Sequence, residues 1–292
     1  MAETVLLSIA IFIRILSNPL GNVFQKQLTA TGNHPLLVNF LTYLLLSGIC
    51  ILMAGFIDWQ VLPLQFWMYS ILGGIVGALG NSFLVKALQK GDLSVLGPIN
   101  SYKSLVGIFV GVLLLGEVPT LWGLLGVALV IFGSYFVLDT TPERFSFALF
   151  KKEEIRFRIW AMILTAIEAV FVKKVILASS TPIAFISWCC FGAFFSFTLV
   201  FIYRLDLKKE VRKIGFGDIR TYCFLVICIG LMQFTTNYAF EHLAVGYALS
   251  LFQLSIIVSV LLGYGIFKEE NIRKKLIGSA LMIIGSAVLI LL

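Results

Sequence analysis

Two strings decide the fold: ALQKGDLSVLGP at residues 87–98 and AFEHLAVGYALS at 239–250. The first continues through GVLLLGE (111–117) to LLGVALVIFGSYFVL (124–138). The second continues through GYGIFKE (263–269) to KLIGSALMIIGSAVLIL (275–291). A shift of 152 residues places Ala87 on Ala239, Gly111 on Gly263, Glu117 on Glu269, Gly126 on Gly278, Gly133 on Gly285 and Ser134 on Ser286. A shift of 147 places Phe24, Lys26 and Pro35 on Phe171, Lys173 and Pro182. Shared apolar composition seldom sets glycines and a glutamate at one offset, so the chain reads as a duplication.

Composition says what is duplicated. Of 292 residues 60% are hydrophobic and 13% charged, against about 25% charged in a soluble domain. Mean hydropathy is +1.01. Such a chain cannot cover itself with polar surface, which excludes a soluble enzyme, a nucleic-acid binder and a disordered protein. It reads as an all-α polytopic membrane protein. About 20 apolar residues make one membrane helix. Ten spans follow, near 4–26, 35–57, 65–88, 93–116, 120–138, 159–178, 183–203, 220–241, 245–267 and 273–292. Residues 1–138 form the first five-helix repeat, 139–158 a charged linker and 159–292 the second repeat. Five is odd, so the two repeats enter the membrane with opposite orientation. Inverted repeats of this kind build secondary transporters. The N-terminus lacks a basic n-region, so the first span is expected to stay as a helix. Cys50, Cys189, Cys190, Cys223 and Cys228 lie in apolar stretches and read as packing residues.

The motif Gly116-Glu117-Val118-Pro119-Thr120, followed by Gly126 and Gly133 in a chain of two five-helix halves, resembles the EamA family of the drug/metabolite transporter superfamily. The likeness extends over nearly the whole chain. The second-half counterpart, Phe267-Lys268-Glu269-Glu270-Asn271, keeps the glutamate and loses the glycine and proline. The resemblance implies a permease of small metabolites in a bacterial inner (plasma) membrane, without a cofactor. In similar proteins that bind choline-like amines, a glutamate in the sixth helix sits on the substrate, and Glu168 occupies a comparable place.

Basic residues set orientation. With the N-terminus outside, the cytoplasmic connections hold 18 Lys and Arg, Arg158 among them, and the outer ones only Lys173 and Lys174. Charge therefore places both termini outside, whereas the family habit is both inside.

An ionisable side chain at mid-membrane is expensive and faces a cavity or a partner. Arg14 and Lys103 qualify as binders of a carboxylate or phosphate, and Glu168 as the site of an amine or of a coupling proton. Asn18 shares the Arg14 face and Asn100 lies one turn before Lys103. Asn81, Gln233, Asn237 and Gln253 complete the candidates, with interhelical hydrogen bonding as their plainer role. Glu168 could instead serve as an internal counter-ion to Arg14 or Lys103. Glu117 and Glu269 are expected to cap the helices that follow them. Lys86, Lys90, Lys173 and Lys174 are expected to snorkel from span ends. Gly73, Gly77, Gly107 and Gly111 have the spacing for close helix approach. Pro19 and Pro182 are candidate points of helix loosening, while Pro98 falls in the first turns of its span, where proline is tolerated.

The expected activity is alternating-access transport of a small polar metabolite, an amino acid or amine first, with protons as coupling ion. The partners are that substrate and membrane lipid, not nucleic acid. A lipid-carrier flippase of the same superfamily is the alternative. An intramembrane enzyme is distant: every Asp lies in or beside a loop, and the two histidines, His34 and His242, sit far apart at span ends.

Overall fold

The computed structural model describes residues 2–103, 121–141, 150–243 and 245–291. Gly107, Gly111, the 116–120 motif with Glu117, Pro142 and Arg144 lie outside the described residues. Those described are helical, with no strand among them. The first half holds α1 (Ala2–Ala30), α2 (Pro35–Ala54), α3 (Leu64–Lys90), a one-turn α4 (Leu93–Leu96) and α5 (Leu121–Leu138). The second holds α6 (Glu153–Leu177), α7 (Thr181–Ile202), the short α8 (Leu207–Val211), α9 (Phe216–His242), α10 (Val245–Phe252), α11 (Ser255–Phe267) and α12 (Ile272–Leu291).

Seven spans among the described residues are long and apolar enough to cross a membrane, α10 and α11 counting together as one. The apolar run of α6 is interrupted by Glu168, Lys173 and Lys174, so α6 is not one of these seven. Outward faces carry exposed Ile49, Leu52, Phe132 and Phe201. Water would not tolerate so continuous an apolar surface, and lipid does.

Three boundaries differ from expectation. α6 starts at Glu153, so residues 153–158 leave the linker and become two helical turns. Glu153 and Glu154 in the first turn suit the positive helix end, and Glu153 pairs with Lys90 of α3. The span expected from 93 breaks after Leu96, where Pro98–Ser101 forms a 3-10 turn. The span expected over 245–267 breaks at Gln253–Leu254, between α10 and α11. Helix α1, by contrast, continues through Pro19, and Pro182 occupies the first turn of α7.

The halves interlock. α3 packs along α6, α1 along α9, α5 along α12 and α2 along α7. One core cluster mixes Leu28, Val38 and Phe66 with Val172, Leu225 and Phe240. The α5–α12 contact is made by the glycines of the repeat. A Cβ on Gly133 would lie 2.6 Å from the Gly278 carbonyl, and one on Gly285 would lie 2.8 Å from that of Gly126. As α5 rises from 126 to 133, its partner falls from 285 to 278, so the two helices run antiparallel. The shift of 152 turns one of these contacts into the other. Not every expected packing cysteine is buried: Cys50 and Cys189 are, while Cys190 and Cys223 are exposed.

Gly278→Ala would set a methyl 2.5 Å from the Gly133 carbonyl and 2.9 Å from Phe136 Cβ. It is expected to cost about 1–3 kcal/mol and lower the melting temperature. Gly265→Ala, with nothing within 4 Å, should not destabilise. Lys268 caps α11 in the left-handed region, φ 57°, at the position that the 152-residue shift aligns with Gly116. Its side chain is exposed. Lys268→Gly is therefore expected to raise stability by about 1 kcal/mol, read by thermal unfolding of the purified protein.

Candidate functional site: a charged cavity between the halves

A cavity of about 120 Å³ lies where α1, α3, α6 and α9 meet the broken spans. Arg14, Asn18 and Asn22 of α1 line it, one turn apart, as the 3.6-residue period requires. Asn81 of α3 and Asn100 and Lys103 beyond α4 line it too. Helix α6 contributes Arg158, Thr165 and Glu168, and α9 contributes Gln233 and Thr236. Trp188, Phe252, Ser255 and Ser259 complete the polar and aromatic wall.

Glu168, Arg14 and Arg158 are each held by neutral partners. Trp188 donates its indole N–H to Glu168 Oε1 at 2.7 Å. Glu168 lies against Gly77, where any Cβ would collide with its carboxylate. Tyr43 packs tilted against Trp188, ring centroids 4.7 Å apart, and accepts a hydrogen bond from Asn81, so a relay of α2 and α3 residues orients the indole. Arg14 Nε donates to Thr236 Oγ1 at 2.8 Å, and its guanidinium lies 4.6 Å from the Phe252 ring centroid. Its Nη1 is buried without a hydrogen-bond partner. Arg158 Nε donates at 2.7 Å to the Leu96 carbonyl, which the break after α4 removes from helical bonding, and Nη2 donates to Asn100 Oδ1 at 3.1 Å. Among the described residues no ion pair joins Glu168 to a base.

Seven of the nine expected positions meet at the cavity: Arg14, Asn18, Asn81, Asn100, Lys103, Glu168 and Gln233. Asn237 and Gln253 are not among its lining. Asn237 is fully buried one turn beyond Gln233, with the two side-chain amides 2.8 Å apart. Gln253 sits buried in the break between α10 and α11. Arg158 was expected in the linker and is instead a buried wall residue, because α6 begins before its apolar run does. It leaves the loop tally that sets orientation. Asn22 was legible as the next turn after Asn18. Trp188 and Thr236 carry no signal that separates them from ordinary packing.

A second cluster joins the halves at one end of α1. Glu269 accepts the N–H groups of Leu93 at 2.8 Å and Ser94 at 2.9 Å, together with the Ser94 hydroxyl. Lys26 pairs with it at 3.2 Å and donates to the Gly91 carbonyl at 2.8 Å. Lys275 donates to Ser94 Oγ at 2.7 Å. Glu269 thus caps α4 in the other half, not the helix that follows it, because its loop folds back over the start of the fourth span. The span-end lysines are similarly engaged. Lys173 donates to the Phe240 and Leu243 carbonyls, Lys90 pairs with Glu153, and Lys86 and Lys174 lie over Phe157 and Tyr69.

Burial pushes the Glu269 carboxyl upward, but the Ser94 and Leu93 hydrogen bonds and the Lys26 charge outweigh it and hold it below its ordinary 4.5. A lowered value means stability that is complete above 4.5 and is lost as pH falls through the lowered value. Glu269→Gln should therefore be less stable than the parent at neutral pH, and its melting temperature should change less on acidification below 4.5. Thermal unfolding at a series of pH values reads both.

The sequence profile of the EamA-like transporter family matches residues 7–139 and again 154–291. Among curated proteins no sequence matches significantly. A crystal structure of another protein superposes with a TM-score of 0.67 at 17% identity, covering 96% of each chain, which shows a shared fold. With both repeats matched and seven membrane-length apolar spans, the chain is an integral membrane protein that belongs to the EamA-like transporter family of the drug/metabolite transporter superfamily.

Proposed function

We propose that this chain is a secondary transporter of a small polar metabolite, working by alternating access in a bacterial inner membrane. In this reading ten membrane helices form two inverted five-helix repeats, residues 1–138 and 159–292, joined by the charged linker. Both termini face outside, as the loop charges favour. The antiparallel α5–α12 contact between repeat-related glycines supports the inverted relation.

The observation that carries the proposal is the charged cavity beside two broken spans. Helices interrupted at corresponding places in two repeats are where transporters bind cargo. Here the break after Leu96 and the break after Phe252 flank one cavity. Its volume of about 120 Å³ is of the order of a small metabolite. Arg14 and Lys103 bind the cargo, Glu168 takes the coupling proton beside it, and Asn18, Asn81, Asn100 and Gln233 orient it. No catalytic step or cofactor is part of this reading.

Glu168 is the proton site in this proposal. The cations Arg14, Lys103 and Arg158 share its cavity, and Tyr43 and Trp188 pack beside it. Protonation removes the cavity's carboxylate charge, so an inward proton gradient would drive cargo uptake. In proteoliposomes the parent should accumulate cargo when an inward pH gradient is imposed, and Glu168→Gln should equilibrate it without responding to the gradient. Equal gradient-driven accumulation by both proteins would remove Glu168 from coupling.

A further inference from the structure

From the charge balance of this cavity we infer that its ligand is a small organic anion carrying more acidic groups than amines, either two carboxylates or one phosphate. The inference rests on the transport reading only in that it names the cargo of the same site. Among the described residues the cavity is lined by three cations, Arg14, Lys103 and Arg158, and one carboxylate, Glu168.

Among the described residues no ion pair at contact distance joins these charges. Arg158 is satisfied by a carbonyl and a side-chain amide, Arg14 by a hydroxyl and a ring face, and Glu168 by an indole. Arg14 Nη1 has no partner, and no hydrogen bond or ion pair among the described residues holds Lys103. Neutral anchors fix the positions of charges without cancelling them. Uncancelled like charges away from bulk water recruit a counter-charge, and guanidinium groups suit planar carboxylate or phosphate oxygens. Glu168 stands against a second acidic group until it is protonated. Proton binding and anion binding therefore reinforce each other, and an amine without acidic groups meets a net repulsive site.

The test is ligand-induced thermal stabilisation of the purified full-length protein at constant ionic strength. The probes are succinate (two carboxylates), glycerol 3-phosphate (a phosphate), alanine (a zwitterion) and choline (a cation). The expected result is stabilisation by succinate or glycerol 3-phosphate at concentrations at least tenfold below those at which alanine or choline acts. Which of the two acts distinguishes a dicarboxylate from a phosphate site. Lys103→Gln should weaken the anion at least tenfold. Glu168→Gln should tighten it several-fold, the opposite of what an amine-binding glutamate would do, so the inference survives a misfolded Lys103 variant. Preference for alanine or choline, weakening by Glu168→Gln, or no binding of either anion overturns it. Flux in proteoliposomes is read separately. An anion that binds and is not moved defeats the transport reading and leaves the inference standing, whereas movement of choline or alanine alone does the reverse.

Discussion

Gathering one carboxylate and three cations around one cavity, with no ion pair between them among the described residues, is the constraint around which this structure is organised. A buried ion that merely sought stability would find the nearest opposite charge. Here Trp188, Thr236, the Phe252 ring, Asn100 and the Leu96 carbonyl take that place. Each is neutral, and each fixes direction. Gly77 is small because the Glu168 carboxylate occupies the space of its missing side chain, and Tyr43 packs against the indole that holds that carboxylate.

The same economy shapes the backbone. A helix broken inside a membrane exposes carbonyls that nothing in lipid can satisfy. The break after α4 is tolerable because Arg158 donates to Leu96, so one side chain both repairs the helix and charges the cavity. The N–H groups at the start of α4 are met from the other half by Glu269. The short helix is therefore held at one end by α6 and at the other by the loop before α12. Repair and assembly are one set of bonds.

Much of this was legible in the sequence, for identifiable reasons. Glycines at an offset of 152 became the facing residues of α5 and α12, since close approach demands glycine whatever surrounds it. Arg14, Lys103 and Glu168 stood out because an apolar background makes an ionisable residue conspicuous. Arg158 did not, because hydropathy marks where a helix becomes apolar and not where it begins. Glu269 was read against its chain neighbours, while its partners are 175 and 176 residues away. Asn237 and Gln253 looked equivalent to Gln233, and the direction a side chain takes from a broken or densely packed helix is decided by tertiary contacts.

The interlocking of the halves fixes an order of events during biogenesis. Arg14 is inserted with the first helix, yet the threonine that receives it lies 222 residues further along the chain. Lys26 waits still longer, 243 residues, for Glu269. An arginine at the centre of a lone membrane helix costs about 2.5–3.5 kcal/mol on insertion scales. Until α9 emerges, α1 has neither its packing partner nor its hydrogen bond. The partners that hold Arg14 in place therefore form only once the second half of the chain has been made.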